Sequence, residues 1–177
     1  MEELSIRQGQ TFNKPSGSLT VTMLEASTVT KDGKADLPTP VDIVDKMPQD
    51  TVDNDVNNYQ PENEALDYWE SLEGMLTTVK KPHVLGPQYR GDIYVLPEGY
   101  QALPCNIGGV NLRPNAQNTA TIPVYVGNKF IAKAKDYFNG DVVGVVTYRG
   151  KIYKLDPTQL PGLVDGGLQR QISPLYP

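Results

Sequence analysis

Glycine and proline interrupt this sequence so often that long helices are not expected. The 16 glycines and 15 prolines make up about 18 % of the 177 residues, against roughly 12 % in average usage. Hydrophobic residues still account for 38 % of the chain, which is enough to bury a core. No apolar run approaches the roughly 18 residues that a membrane helix needs. The sequence therefore predicts a domain of short elements joined by many turns, without a membrane span.

Histidine and cysteine are too scarce for most catalytic or metal chemistry. The one cysteine, Cys105, excludes an internal disulfide and a zinc cage built from several thiolates. The one histidine is His83, whereas histidine-based triads and metal-dependent hydrolase sites need imidazoles with oriented partners. We expect Cys105 to be an inert loop residue, and we expect that this chain by itself is not an enzyme.

Charge is divided unevenly along the chain. The net charge is −5, but fifteen acidic and five basic residues up to Met75 give that part −10. The remaining six acidic and eleven basic residues give the rest of the chain +5. Because phosphate affinity depends on local basic clustering, a polyanion would be repelled by the first part and attracted to the second.

Alternating apolar and β-branched residues predict six strands. They span residues 18–24, 75–79, 92–96, 121–126, 141–148 and 151–155. The last two are joined across Arg149-Gly150, which predicts a tight hairpin. A proline-rich linker around Pro38 and Pro40 and then an acidic connector follow the first strand.

One short amphipathic helix of about three turns is predicted after the acidic connector. Leu66, Trp69 and Leu72 recur at three-residue spacing, with Asn63 as the candidate N-cap and Gly74 just past the end. This spacing places Trp69 on the buried side of the helix, where it would plug one end of a β core.

The order of the elements decides the predicted fold. Residues 130–138 form either a helix that Asn139-Gly140 ends or a strand pair that turns there. With the helix, the order matches the OB-fold, a small, partly open Greek-key barrel that binds oligonucleotides or oligosaccharides. We therefore predict an all-β, OB-fold-like Greek-key barrel with one or two short helices. The predicted regions are an N-terminal strand region with a proline-rich linker (1–49), an acidic connector (50–63), the barrel (64–160) and a C-terminal linker (161–177).

Two loops of that barrel, residues 80–91 and the 148–151 hairpin, would flank its ligand face. They concentrate basic and aromatic side chains, and single-strand binders combine a positive groove with rings on which bases stack. The candidate nucleic-acid-binding residues are Lys80, Lys81, His83, Tyr89, Arg90, Tyr148, Arg149, Lys151 and Tyr153. The alternative is that the tyrosines are ordinary strand residues, the lysines keep edge hairpins soluble, and His83 has no chemical role.

Part of the acidic connector has the spacing of a calcium-binding loop. The ligand positions one, three, five, seven and twelve would be filled by Asp53, Asp55, Asn57, Tyr59 (through its backbone oxygen) and Glu64. Position six is Asn58 rather than glycine, and no helix is predicted before the loop. A solvated acidic linker can also produce this spacing by chance. The cofactor prediction is therefore none, with calcium as the alternative.

Several motifs, in this order, carry a family resemblance. They are Leu37-Pro-Thr-Pro-Val41, Asp53-Asn-Asp55, the segment 59–75 ending in Trp-Glu-Ser-Leu-Glu-Gly-Met, Gly86-Pro with Gly91-Asp-Ile-Tyr-Val-Leu-Pro97, and Gly140-Asp-Val-Val-Gly-Val-Val-Thr-Tyr148 with Tyr153-Lys-Leu-Asp-Pro157. Across residues 18–160 they resemble the accessory region of large secreted bacterial sugar-nonspecific nucleases. In that family an OB-like module precedes a catalytic domain of the endonuclease/exonuclease/phosphatase superfamily.

The resemblance implies a binding role without catalysis. The family's metal-binding carboxylate and its catalytic Asn, Asp and His residues belong to the later domain, before which this chain is expected to stop. We therefore expect a module that binds DNA or RNA non-specifically and positions it for a catalytic nuclease domain of the parent chain. The N-terminus has no signal-peptide pattern, so secretion is implied by the resemblance alone. The alternative is a structural or surface-interaction β module of an exported multidomain protein.

Overall fold

The part of the chain that the structure describes is mainly β, as predicted. The structure is a computed structural model, and it describes residues 28, 30, 33–44, 47–48, 58–98 and 121–168. Its elements in chain order are β1 (Val41–Asp42), α1 (Ala65–Ser71), β2 (Leu76–Val79), β3 (His83–Val84), β4 (Asp92–Leu96), β5 (Ile122–Tyr125), β6 (Tyr137–Phe138), β7 (Val142–Arg149), β8 (Ile152–Gln159) and β9 (Leu163–Val164). The predicted N-terminal strand, residues 18–24, and Cys105 lie outside the described residues.

All the described strands belong to one sheet, in the order β1-β2-β7-β8-β5-β4-β3-β6-β9. The pairs β1–β2 and β5–β8 are parallel, and the other pairs are antiparallel. Within the described residues no pairing joins β1 to β9, so the sheet is not closed into a barrel. The sheet also extends past the predicted barrel region 64–160 on both sides, because β1 and β9 lie outside it.

The strands predicted within the described residues match observed strands closely. They coincide with β2, β4, β5, β7 and β8 to within four residues at each end. The β7–β8 hairpin turns at Gly150 and Lys151, whose φ angles are 67° and 68°. Positive φ at both central residues is the geometry of a type I′ turn, which matches the twist of the flanking strands.

The segment 130–138 is neither the predicted helix nor the alternative hairpin. Its backbone bonds to other strands, since Lys135 N donates to Val84 O (3.1 Å) and Phe138 N donates to Pro82 O (3.0 Å). The chain becomes a strand only at β6, which pairs with β3 and β9 rather than with β7. Phe138 is fully buried but Ile131 is 98 % exposed, so the apolar residues do not share one helical face.

Helix α1 begins one residue later than predicted. The Glu64 carboxylate accepts hydrogen bonds from Leu66 N (2.9 Å) and Asp67 N (3.1 Å), so Glu64 rather than Asn63 is the N-cap. Trp69 is buried, as predicted, and its ring stacks on Tyr153 with 6.4 Å between centroids. The helix has seven residues, which is fewer than the three turns predicted. Among the described residues, no helix is long and apolar enough to cross a membrane.

The alternation of side chains gives the sheet two faces. Val95, Val124, Val146 and Leu155 are fully buried and point to the inner face, together with Tyr153, on which α1 packs through Trp69. The residues between them in each strand point to the opposite side, which we call the outer face. From β7 to β6 the outer face carries Thr147, Arg149, Lys154, Asp156, Tyr125, Asp92, Tyr94, His83 and Tyr137.

Candidate nucleic-acid interface

Residues from the two predicted loops meet at Tyr125, at the end of β5. The Arg149 guanidinium carbon lies 4.4 Å from the centroid of the Tyr125 ring. Gly91, from the other loop, approaches the same ring so closely that an added Cβ would lie 2.8 Å from Tyr125 Cε2. The Gly91 carbonyl also accepts a hydrogen bond from Val126 N (2.8 Å). The sequence predicted that Arg149 and the 80–91 loop flank one ligand face. It did not predict Tyr125, the residue whose ring contacts both.

The tight turn whose Gly91 approaches this ring also carries Arg90. Tyr89 and Asp92 exchange backbone hydrogen bonds of 3.0 and 2.9 Å, and the two residues between them have positive φ, 51° at Arg90 and 88° at Gly91. The Arg90 guanidinium lies 5.2 Å from the centroid of the exposed Tyr89 ring. Among the described residues Arg90 forms no salt bridge, so its positive charge is not neutralised by a carboxylate.

A recess of about 610 Å³ lies between this turn and the segment after β5. Its wall combines apolar, amide and aromatic side chains with one guanidinium: Pro87, Gln88, Arg90, Gly91, Tyr125, Gly127, Asn128, Phe130, Ile131 and Ala132. The Gln88 amide nitrogen donates to the carbonyl of Gly127, which ties the two walls together. A planar ring could enter beside Tyr125 while an attached anion meets Arg90.

Charged side chains next to Tyr125 are held by their neighbours on the outer face. Lys154 Nζ lies 2.7 Å from Asp92 Oδ2, so this ion pair joins β8 to β4 across β5, and both side chains are mostly buried. Arg149 lies 3.3 Å from Asp156, whose carboxylate also accepts from Thr147 Oγ1 (3.2 Å). These contacts place Arg149 over the Tyr125 ring and leave about half of its side chain exposed (51 %).

The structure does not bring Lys80 and Lys81 to this site. Both follow β2, which β7 and β8 separate from β5. Lys80 pairs with Asp42 (2.7 Å), and Lys81 Nζ lies 3.8 Å from Glu98. Carboxylates therefore offset the charge of these two lysines, which the sequence placed at the ligand face.

His83 lies in strand β3 rather than in a loop. Its exposed side chain is on the outer face, and its ring centroid is 5.8 Å from that of Tyr137. His83 therefore belongs to the same face as Tyr125, although two strands away.

Tyr153 is a correction to the predicted site. It is only 6 % exposed, because the alternation along β8 puts it on the inner face with Leu155, under Trp69. Its hydroxyl donates to the Glu70 carboxylate, and burial together with this bond raises the pKa of Tyr153 far above its usual range. The prediction that Tyr153 offers its ring to a base is wrong.

The other two predicted residues of the hairpin differ in exposure. Tyr148 is half-buried beside Tyr153, with 4.9 Å between the ring centroids, whereas Lys151 is exposed in the β7–β8 turn.

The calcium prediction remains a prediction. Asp53, Asp55 and Asn57 lie outside the described residues, and Glu64 serves as the N-cap of α1. Tyr59 is exposed before that helix. Among the residues that the structure describes, no group of three or more His, Cys, Asp or Glu side chains could hold a metal ion.

Sequence reasoning missed three tyrosines of the outer face: Tyr94, Tyr125 and Tyr137. They are between 37 % and 39 % exposed, although each lies in a strand. The signal was present in β4, where Tyr94 alternates with the fully buried Ile93 and Val95. Alternation alone could therefore have assigned Tyr94 to a solvent-facing position.

The fold and this face define the class of the protein: a mainly β domain on one open sheet, with an exposed aromatic and basic surface. A family model described as Domain of unknown function (DUF8508) matches residues 30–165, so the chain belongs to that family. No curated protein matches the chain. No solved structure matches it either.

Proposed function

We propose that this domain is a non-catalytic module that binds single-stranded nucleic acid on its outer face around Tyr125. The observation that carries the proposal is the Arg149 guanidinium on the exposed Tyr125 ring, next to the turn that presents Arg90. A base can stack on the guanidinium plane over Tyr125 or on the ring surface that it leaves open, and guanidinium groups bind phosphate through paired hydrogen bonds. This combination suits a polymer that alternates planar rings with negative charges.

The distribution of charge supports the same location. Lys80, Lys81 and Arg149 each have a carboxylate partner, whereas Arg90 has none among the described residues, and the adjacent segment contributes the exposed Lys129. The recess therefore has a guanidinium that no carboxylate neutralises. Because stacking and phosphate contacts carry little sequence information, the binding is expected to be non-specific.

The proposal assigns no catalytic step to these residues. A general base needs a partner that orients it, and among the described residues His83 packs on Tyr137 without a carboxylate bonded to its ring. In a secreted nuclease of the kind that the sequence resembles, such a module would hold the polynucleotide for a separate catalytic domain.

The test is fluorescence anisotropy with a labelled single-stranded oligonucleotide at low salt. Replacing Arg90 and Arg149 together by alanine removes two positive charges at Tyr125 and should weaken binding by at least about tenfold, since hydrogen bonds to charged groups contribute roughly 1.5–3 kcal/mol each. The matched control, Lys34→Ala with Lys80→Ala, removes the same charge from residues outside the recess and should change the affinity by less than about threefold.

Two results would count against the proposal. If the wild-type chain does not bind the oligonucleotide, the domain is better described as a structural or surface-interaction module. If both double variants weaken binding equally, the affinity follows the overall charge and the Tyr125 site is wrong.

A further inference from the structure

Four aromatic side chains form a row across the outer face. Tyr125 of β5, Tyr94 of β4, His83 of β3 and Tyr137 of β6 lie on four strands that are neighbours in the sheet. The strand registers Asp92↔Tyr125, Tyr94↔Pro123, His83↔Leu96 and His83↔Tyr137 put all four on the same side. All four side chains are exposed, and the Arg149 guanidinium covers part of the Tyr125 ring at one end of the row.

We propose that this row is an extended stacking path, which takes about four consecutive nucleotides of a single strand and excludes duplex DNA. The proposal rests on the proposed function and adds the path, its length and the class of nucleic acid. The strand enters or leaves the path at Tyr125, where Arg90 and Arg149 bind phosphate.

The spacing of the rings selects a single strand. Adjacent strands are about 4.7–4.9 Å apart, diagonal pairs across them about 7–8 Å, and the His83 and Tyr137 ring centroids are 5.8 Å apart. Bases in a duplex follow one another every 3.4 Å along each strand and are paired inside the helix. Bases that stack on these rings must therefore separate from each other, which a flexible single strand allows and a duplex does not.

The aromatic row and the two arginines contribute to the binding free energy through different interactions. Tyr94 and Tyr137 contribute through stacking of their rings on bases, which does not release counterions. Arg90 and Arg149 neutralise phosphates, which makes their contribution dependent on salt. Loss of a ring should therefore lower affinity and leave the salt dependence unchanged.

The experiment combines a length series with ring-deleting variants. Anisotropy with oligo(dT) of two to twelve nucleotides should show affinity rising steeply up to about four nucleotides and slowly beyond. Tyr94→Thr and Tyr137→Thr keep a good strand former at each position and should each weaken binding by at least about fivefold. Tyr94→Phe and Tyr137→Phe keep the ring and should bind as the wild type does.

The controls separate this proposal from the proposed function. Tyr59→Thr removes an exposed tyrosine beside α1 and should leave the affinity unchanged. Thermal unfolding checks that each variant folds, and a 2-aminopurine reporter in the oligonucleotide checks stacking directly. If the two threonine variants fold and bind like the wild type while Arg90→Ala with Arg149→Ala does not bind, the row is wrong and the Tyr125 site stands.

Two further outcomes would overturn the path. Equal affinity for duplex and single-stranded DNA would contradict it. Binding of a neutral oligosaccharide, with loss of that binding in the same threonine variants and none to DNA, would assign the row to sugar rings and would also end the proposed function.

Discussion

At the scale of single residues, the ion pair between Lys154 and Asp92 is the contact on which the candidate site most depends. The two side chains meet at 2.7 Å across β5 and are 8 % and 14 % exposed. Taking two charges out of water costs free energy, which their mutual attraction offsets only while both are present. The pair therefore holds β8, β5 and β4 in place around Tyr125 without adding positive charge to the surface.

Replacing Lys154 by methionine should strongly destabilise the domain. The substitution keeps much of the side-chain volume but leaves the Asp92 carboxylate buried without its partner, which costs about 3–5 kcal/mol in comparable pairs. Urea unfolding followed by circular dichroism measures this change. Combining Lys154→Met with Asp92→Asn should recover part of the loss, and a single variant that loses less than about 1 kcal/mol would mean that water reaches the pair.

At the scale of the elements, steric fit and side-chain packing determine how β7 pairs with β8 and how α1 packs on the sheet. Near the bulge between Val143 and Gly144, a Cβ on Gly144 would lie 2.7 Å from Pro157 Cα, so β7 and β8 can approach only with glycine there. Helix α1 is stabilised at its N-terminus by the buried Glu64 N-cap, and in its middle Trp69 packs on Tyr153 of the sheet. The inner face is thus closed by a helix of only two turns, which by itself would be unstable in water.

The N-cap assignment gives a prediction for this helix. Glu64→Ala removes the carboxylate that accepts from Leu66 N and Asp67 N, and should cost about 1 kcal/mol of unfolding free energy. Asn63→Ala, at the position that the sequence pattern favoured, should cost less than about 0.5 kcal/mol, as at other exposed sites. Thermal or urea unfolding of both variants measures the difference. The reverse order of the two effects would show that Asn63 caps the helix.

At the scale of the whole molecule, the fold determines which positive charges can act together. Lys80 and Lys81 lie between β2 and β3, near Asp42, Asp141 and Glu98, and none of these contacts reaches Tyr125. The positive charge of the second part of the chain is therefore not one broad basic patch. Arg90 and Arg149 lie at the Tyr125 end of the aromatic row, and Lys81, paired with Glu98, lies two residues before His83 at the other end.

Binding to a single strand should therefore depend only moderately on salt. Two or three neutralised phosphates correspond to a slope of log affinity against log salt of about −1.4 to −2.1. Arg90→Ala should make this slope shallower by about 0.7, whereas Lys80→Ala should leave it unchanged. Anisotropy titrations over a range of sodium chloride concentrations measure the slopes. A slope several times steeper would require contacts that the Tyr125 cluster does not supply.

Much of the local structure could be predicted from the sequence because it depends on neighbouring residues. The period-two pattern located β2, β4, β5, β7 and β8, and the Gly150 turn located the hairpin. The three-residue spacing correctly buried Trp69. The same local reasoning failed for residues 130–138, because their backbone groups bond to β3 and β9, which are distant in sequence.

The sequence by itself determined that this chain is mainly β, with short strands, one short helix and a second part that is net positive. Only the tertiary structure decided which side chains share a surface. Alternation shows that Tyr153 and Lys154 point to opposite sides of β8, but not which side α1 covers. Strand order likewise paired Lys80 with Asp42 and put Arg149 on Tyr125. The physical reason is that faces and neighbours depend on pairings between strands far apart in the chain, which no local pattern encodes.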